Sequence, residues 1–307
     1  MSDTLASKVG IGGTLDVASI HCRLLYINES QQPQVDSLLA LVRQHQLPLN
    51  LTTELVTAKL NQKRREQLCA DSNQPILLLD DKNKLSWLSG GLSVAPEWDK
   101  LQRRVVSAGR KTELLLQAAK ITADSQVIDA TAGFGHDSLI LASTGACVTM
   151  LEQQPIMALL LLAEQQRMSM QPNWQKLMAR LQIMNNDALS YFANFQNGTP
   201  LINTIDVVYL DPMFPDDSYQ DSKTGKGAKV GKRMQALHHL ASPPTAAQEQ
   251  QLLQSAQAVV SYHLIHDQPQ GRVIVKRPKD APLFAEQVPD ESWHNEAVRF
   301  DGYLLSS

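Results

Sequence analysis

The tetrapeptide Asp211-Pro212-Met213-Phe214 closes the apolar run Ile205 to Leu210 and sets a carboxylate, a rigid turn and an aromatic ring side by side. Proline fixes φ and turns the chain, so the Asp211 carboxylate and the Pro212 carbonyl can point into one space. Two adjacent acceptors suit a planar NH₂ group with two donor hydrogens, and Phe214 can stack on the base that carries it. In isolation the tetrapeptide reads more simply as a strand-end turn with a core phenylalanine. Three further carboxylates shift that balance: Asp129 within a glycine-containing turn, Glu152 after the apolar run Cys147 to Leu151, and Asp187 after Leu181 to Met184.

These four acids sit at the ends of successive strand-like runs. Val127 to Ala130 reads as a buried strand that turns through Gly133 and Gly135 into a helix from Ser138 to Ser143, the glycines permitting backbone conformations and close ligand approach that a side chain blocks. In an open α/β sheet, ligands collect at the carboxyl ends of the strands, so four acids so placed converge on one crevice. Glu152 is spaced to take both hydroxyls of a ribose. Asp187 can accept an adenine amino hydrogen or cap the helix that follows, and the two roles are compatible. The glycine turn alone is as consistent with a tight turn as with a ligand site. It also differs from the dinucleotide-binding GxGxxG, because Ser138 stands where the third small residue belongs.

Strands and helices alternate from Lys111 onward: a helix to Ile121, the strand at Val127, helices at Pro155 to Met170, Ala188 to Phe195 and Thr245 to His263, and strands at Ile205 to Leu210 and Arg272 to Lys276. This pattern predicts a mostly parallel sheet covered on both faces. Glu296 to Leu305 is expected to add a strand at the sheet edge. Residues 1 to 105 read as a smaller α+β module, with a strand at Ile20 to Ile27, a helix at Gln34 to Gln46 and a hairpin of Pro75 to Asp80 with Leu85 to Leu88. The second module then runs from 106 to 307.

A net charge of -3 over 307 residues excludes a globally basic nucleic-acid binder and confines any such surface to local patches. Three scattered cysteines, Cys22, Cys69 and Cys147, fit neither a disulfide framework nor a paired-thiolate metal site. No basic-then-apolar leader stands at the amino terminus, and no apolar stretch is long enough to span a bilayer, so a cytoplasmic protein without membrane contact is expected. His238-His239 lacks a third ligand at metal spacing, and no metal is expected.

The ordered set of Asp129-x-Thr131-x-Gly133-x-Gly135, Glu152, Asp187 and Asp211-Pro212-Met213-Phe214 resembles a class I S-adenosylmethionine (SAM)-dependent methyltransferase of the amino-methylating kind. More narrowly, Asp129 to Asp137, Val208 to Pro215 and Val275-Lys276-Arg277-Pro278 are similar to the ribosomal RNA small subunit methyltransferase J family. The resemblance covers roughly residues 75 to 305 and adds little for the first 70. It implies a Rossmann-like, mostly parallel seven-stranded sheet, SAM as cofactor, and methylation of guanosine N2 near the 3′ end of 16S rRNA in the small ribosomal subunit. Carried onto this chain, the cofactor positions are His136, Asp137, Glu152, Gln153, Asp187, Ala188 and Asp211, beside Asp129, Gly133 and Gly135. Asp211, Pro212 and Phe214 take the catalytic roles. Thr131 departs from the first glycine of the general class I pattern and Met213 from the second proline of Asn-Pro-Pro-Tyr, departures that the narrower family shares.

Basic residues follow the Asp-Pro motif. Lys223, Lys226, Lys229, Lys232 and Arg233 are interspersed with glycines and are expected to grip RNA phosphates. Arg110, Lys276 and Arg277 extend that track, and the first module is a candidate RNA or subunit contact. A DNA adenine or protein glutamine methylase would use nearly the same clamp, and a non-catalytic RNA-binding assembly factor would keep the fold. A nicotinamide-dependent dehydrogenase would share the glycine turn and the acid at the second strand end, but not the Asp-Pro-Met-Phe turn followed by a cationic loop.

Overall fold

The computed structural model describes residues 19–109, 111–196, 205–214, 243–260, 264–265, 268–269 and 271–304. The first module builds a five-stranded sheet, ordered β2-β1-β3-β4-β5, from β1 (Ile20–Tyr26), β2 (Leu49–Leu55), β3 (Ile76–Leu79), β4 (Leu85–Ser89) and β5 (Leu92–Val94). The expected hairpin is β3 with β4, paired antiparallel from Ile76 opposite Leu88 to Leu79 opposite Leu85. Helix α1 (Gln32–Gln44) buries Val35, Leu38, Leu41 and Val42, the spacing of an amphipathic face. Helix α2 (Gln62–Ala70) buries none of its residues.

A short helical stretch, Trp98–Leu101, leads through α3 (Gln102–Ser107) and α4 (Leu114–Ala119) into the second sheet. That sheet contains β6 (Gln126–Asp129), β7 (Cys147–Glu152), β8 (Leu181–Asn185), β9 (Val207–Leu210), β12 (Arg272–Pro278), β13 (Glu291–His294) and β14 (Val298–Leu304), in the order β13-β14-β12-β9-β6-β7-β8. Strands β10 (Leu264–Ile265) and β11 (Gln268–Pro269) pair antiparallel as a separate two-stranded sheet. Strands β8, β7, β6, β9 and β12 run parallel, and β14 and β13 close one side antiparallel. The terminal strand expected at the edge therefore lies inside, between β12 and β13, because Glu291–His294 forms a further strand outside it.

Helices α5 (His136–Ser143), α6 (Pro155–Ser169), α7 (Gln175–Met178), α8 (Ala188–Gln196) and α9 (Ala246–Val259) complete the second module. The central strands are continuous apolar runs, as strands covered on both faces must be; all four residues of β9 are buried. On one face α8 and α9 pack Phe192, Leu252, Leu253 and Ala256 against Ile128, Val208 and Val275. On the other face α5 packs on β7, and α6 lies between the two sheets, against β4 on one side and β7 and β8 on the other, burying every residue from Ile156 to Leu162. A helix apolar all round is one covered all round, and here α1 and β4 cover its outer side. The apolar layer of the first module is thus continuous with that of the second. The boundary at residue 105 falls within α3.

Trp98 sits in that shared layer, fully buried, and its indole N–H donates to the Phe134 carbonyl at 2.7 Å. Trp98→Ala is expected to cost about 3–5 kcal/mol of stability through the cavity it opens. Thermal unfolding checks this, and a loss below about 1 kcal/mol would mean that the two modules do not depend on this contact.

Candidate functional site

The order of the parallel strands reverses at β6: β7 and β8 lie to one side, β9 and β12 to the other. A crevice opens at the carboxyl ends of strands at such a switch point, and here it is a cavity of about 530 Å³, within the size range of small-molecule sites. Asp129, Gly133, His136, Asp137, Glu152, Gln153, Asp187, Ala188, Asp211, Pro212 and Phe214 all line it. Gly135 is not among the lining residues. It holds a left-handed conformation at φ 72°, and a Cβ there would lie 2.6 Å from Met150 Cε and 3.0 Å from Trp98. Packing behind the loop therefore requires this glycine, which corrects its expected place against the cofactor.

Asp129 ends β6 and turns back into the loop. Its Oδ1 accepts the Thr131 N–H at 3.2 Å and its Oδ2 accepts the Ser138 hydroxyl. Glu152, at the end of β7, accepts the Gly133 N–H at 3.1 Å and the Gln154 N–H at 2.8 Å, one on each oxygen. This carboxylate thereby joins the loops after β6 and β7 and stays at the cavity wall. Burial pushes both acids up to about 7. Asp187 accepts the Ser190 N–H at 2.8 Å as the cap of α8 and lines the cavity as well. Thr131 binds the loop to β9: its hydroxyl accepts the Asp211 N–H at 2.6 Å.

The other end of the cavity holds an ion network. Lys276 Nζ donates to Asp137 Oδ2 and to Asp211 Oδ2, both at 2.8 Å, and the Tyr209 hydroxyl donates to Asp137 Oδ2 at 2.7 Å. Burial alone would raise Asp137, but the Lys276 charge and hydrogen bond, with Tyr209 and Arg104, bring it below the usual carboxylate range. Burial raises Asp211 against the pull of Lys276, with the Asp137 charge adding to the rise.

Lys276 and Arg277 were expected on the RNA surface, and the structure corrects both. Successive residues of a strand point to opposite faces, and here each face holds an acid. Lys276 meets Asp137 and Asp211 in the cavity, while Arg277, 5% exposed, pairs with Glu249 at 3.0 Å. The Arg277 guanidinium lies 4.9 Å from the centre of the Phe214 ring. Phe214 is itself 5% exposed, so it is a braced wall of the cavity and not an open stacking platform. Lys223, Lys226, Lys229, Lys232, Arg233 and Arg110 lie outside the described residues. Sequence reasoning named Thr131 and Ser138 only as pattern positions, missed Tyr209, and did not foresee that Lys276 pairs with Asp137 and Asp211. A cation within the apolar run of β12 was the signal available for Lys276.

The cavity suits a polar ligand on two observations. His136 lines it with a buried Nε2 that has no hydrogen-bond partner, an atom that a ligand would satisfy. Glu152 offers carboxylate lone pairs beyond the two used by backbone N–H groups. Among the described residues, no group of three His, Cys, Asp or Glu is arranged to hold a metal ion, and no helix is long and apolar enough to cross a membrane.

The raised acids carry a pH consequence. Asp129 and Glu152 keep their protons in the folded protein to about pH 7, whereas the unfolded chain releases them near 3.8 and 4.5. The folded state therefore binds more protons across this window, and stability contributed by these groups falls as pH rises through it. Asp137 acts oppositely, its stabilisation being lost only as pH falls below the usual carboxylate range. The unfolding temperature of the free protein is expected to decline from pH 5 to pH 8, and less steeply in Glu152→Gln. Equal slopes in the two proteins would show that Glu152 is not held protonated.

Comparison with known proteins points one way. A family model described as "Putative SAM-dependent methyltransferase" matches residues 53–305. Ribosomal RNA small subunit methyltransferase J of Psychrobacter cryohalolentis is 74% identical over 290 residues, 94% of this chain and 97% of that protein. The protein of the same name from Acinetobacter baylyi is 37% identical over 224 residues, 72% of this chain and 78% of that one. A crystal structure of a SAM-dependent methyltransferase from Neisseria gonorrhoeae superposes with a TM-score of 0.60 at 25% identity, covering 92% of this chain and 95% of that one.

Proposed function

The chain belongs to the ribosomal RNA small subunit methyltransferase J family of SAM-dependent methyltransferases, and from that premise we propose that it methylates the exocyclic N2 of a guanosine near the 3′ end of 16S rRNA. The observation that carries this reading is the juxtaposition of Asp211 and Pro212 with the cavity at the switch point. Glu152, Asp187 and the loop through Gly133 are the groups that hold SAM, with His136, Asp137, Gln153 and Ala188 along the same wall. When bound, SAM supplies a sulfonium-borne methyl group that is already strongly electrophilic, so the protein's work is positioning and exclusion of water.

The guanine amine is a poor nucleophile because its lone pair is delocalised into the ring. Asp211 Oδ1 and the Pro212 carbonyl accept its two hydrogens, turn the lone pair out of conjugation and stabilise positive charge as it develops on nitrogen. Phe214, braced by Arg277, forms the wall beside this clamp. The displaced proton passes to Asp211 or to water. The base leaves its stack to enter, at a cost of a few kcal/mol in a duplex. On this reading the module through residue 105 contacts RNA or the subunit, and the module from 106 carries the chemistry. Lys223, Lys226, Lys229, Lys232, Arg233 and Arg110 contribute phosphate contacts.

Offering the protein methyl-labelled SAM with small ribosomal subunits lacking the modification, duplex DNA and a glutamine-containing protein in parallel tests the substrate class. Label in the ribosomal RNA alone is the expected result. Label in DNA or protein, or in none of the three, would overturn the proposal.

A further inference from the structure

Lys276 has no part in the amine clamp, yet among the described residues it is the cation at the centre of the cavity's acidic end. Its side chain is half-buried, and its ammonium lies 2.8 Å from both Asp137 and Asp211. The surrounding charge is mostly negative. Asp137 approaches from α5, Asp129 from β6, and Asp211 follows β9. The Tyr209 hydroxyl, from β9, donates to Asp137. Arg104 of α3 also lines the cavity, but Glu113 holds its guanidinium in two hydrogen bonds of 2.8 Å. Among the described residues, Lys276 is therefore the cation hydrogen-bonded to both Asp137 and Asp211.

We propose that Lys276 is a positioning residue for methyl transfer: held between Asp137 and Asp211, its ammonium keeps the Asp211 carboxylate ionised and turned so that Oδ1 meets the acceptor amine. The inference rests on the clamp described under the proposed function. A carboxylate accepts amine hydrogens, whereas a protonated carboxyl presents a hydroxyl that competes with them. Asp211 is buried beside a second carboxylate, two conditions that favour protonation. The Lys276 charge opposes both. Its hydrogen bond also takes Oδ2, which fixes the carboxylate plane and leaves Oδ1 for substrate. The alternation along β12 enforces this placement, since Arg277 faces Glu249 on the other side of the sheet.

The test is the pH dependence of the single-turnover methylation rate in wild type, Lys276→Met, Lys276→Gln and Lys276→Arg, with S-adenosylhomocysteine affinity and thermal unfolding measured on each. Removing an opposite charge at this distance is expected to move the acid limb of the profile upward by about 1–3 pH units in the Met and Gln variants. Their rates should recover at high pH, while Lys276→Arg keeps the acid limb near the wild-type position. A folded, cofactor-competent Met variant whose acid limb has not moved would overturn the inference. The Gln variant, which keeps a hydrogen-bond donor on a shorter side chain but not the charge, is read in its place if the Met variant does not fold. An upward shift in Lys276→Arg equal to that in Lys276→Gln would also overturn it, because charge would then not be the operative property. Wild-type protein that methylates no guanine N2 defeats the underlying reading instead, which separates the two failures.

Discussion

Asp211→Ala lowers turnover by at least about 10²–10³-fold, the scale seen when one preorganised group facing developing charge is removed, while the protein keeps its fold. The fold survives because the substitution does not strand a buried cation: Lys276 retains Asp137 at 2.8 Å. The Asp211 N–H that Thr131 accepts is backbone and persists in the variant. Affinity for RNA should change little, since phosphate contacts dominate it. Asp211→Asn separates geometry from charge, because the amide keeps one acceptor oxygen and loses the carboxylate's negative charge. Its rate is expected between those of wild type and the alanine variant. Near-normal turnover in Asp211→Ala would mean that the amine is held by other groups.

At pH 8, above the range in which Glu152 holds its proton, Glu152→Ala is expected to weaken cofactor binding by about a hundredfold or more. Two hydrogen bonds to a charged acceptor contribute roughly 1.5–3 kcal/mol each, and each 1.4 kcal/mol is tenfold in affinity. Besides the loss of the ligand contact, the Gly133 and Gln154 N–H groups lose their shared acceptor, so the loops after β6 and β7 lose the carboxylate that joins them. Calorimetric titration with S-adenosylhomocysteine measures the effect. An unchanged affinity would show that Glu152 braces the loops without touching the ligand.

The legible parts of the chain were those in which local pattern and tertiary role coincide. The strand, glycine turn and helix around Val127 to Ser143 follow from an apolar run broken by residues that accept left-handed φ. The acids at the strand ends follow from the alternation of strand and helix. Strand β2 escaped notice because only Leu49 of its seven residues is buried, which leaves no period-two apolar signal. Helix α2 has no buried face at all, so periodicity could not reveal it. The Lys276 network joins residues 139 and 65 positions apart, and only the parallel register of β12 on β9 brings them together. The sequence likewise showed Trp98 only as a packing residue, since its hydrogen bond reaches a carbonyl 36 positions away.

Lys276 and Arg277 show a subtler limit. Composition marks both as surface cations, and their adjacency suggested one shared role. Strand geometry divides them between two faces that each contain an acid, and burial converts expected phosphate contacts into supports for Asp211 and Phe214.

The most direct measurement identifies the modified nucleoside itself. Small ribosomal subunits lacking the modification are incubated with the protein and methyl-labelled SAM, the RNA is digested, and the labelled nucleoside is resolved by chromatography and mass spectrometry. The account predicts label in N2-methylguanosine, lost with Asp211→Ala. Label at a ring nitrogen, a ribose hydroxyl or an adenine amine would contradict it, because none of these presents the guanine amine that the Asp211 and Pro212 acceptors are proposed to hold.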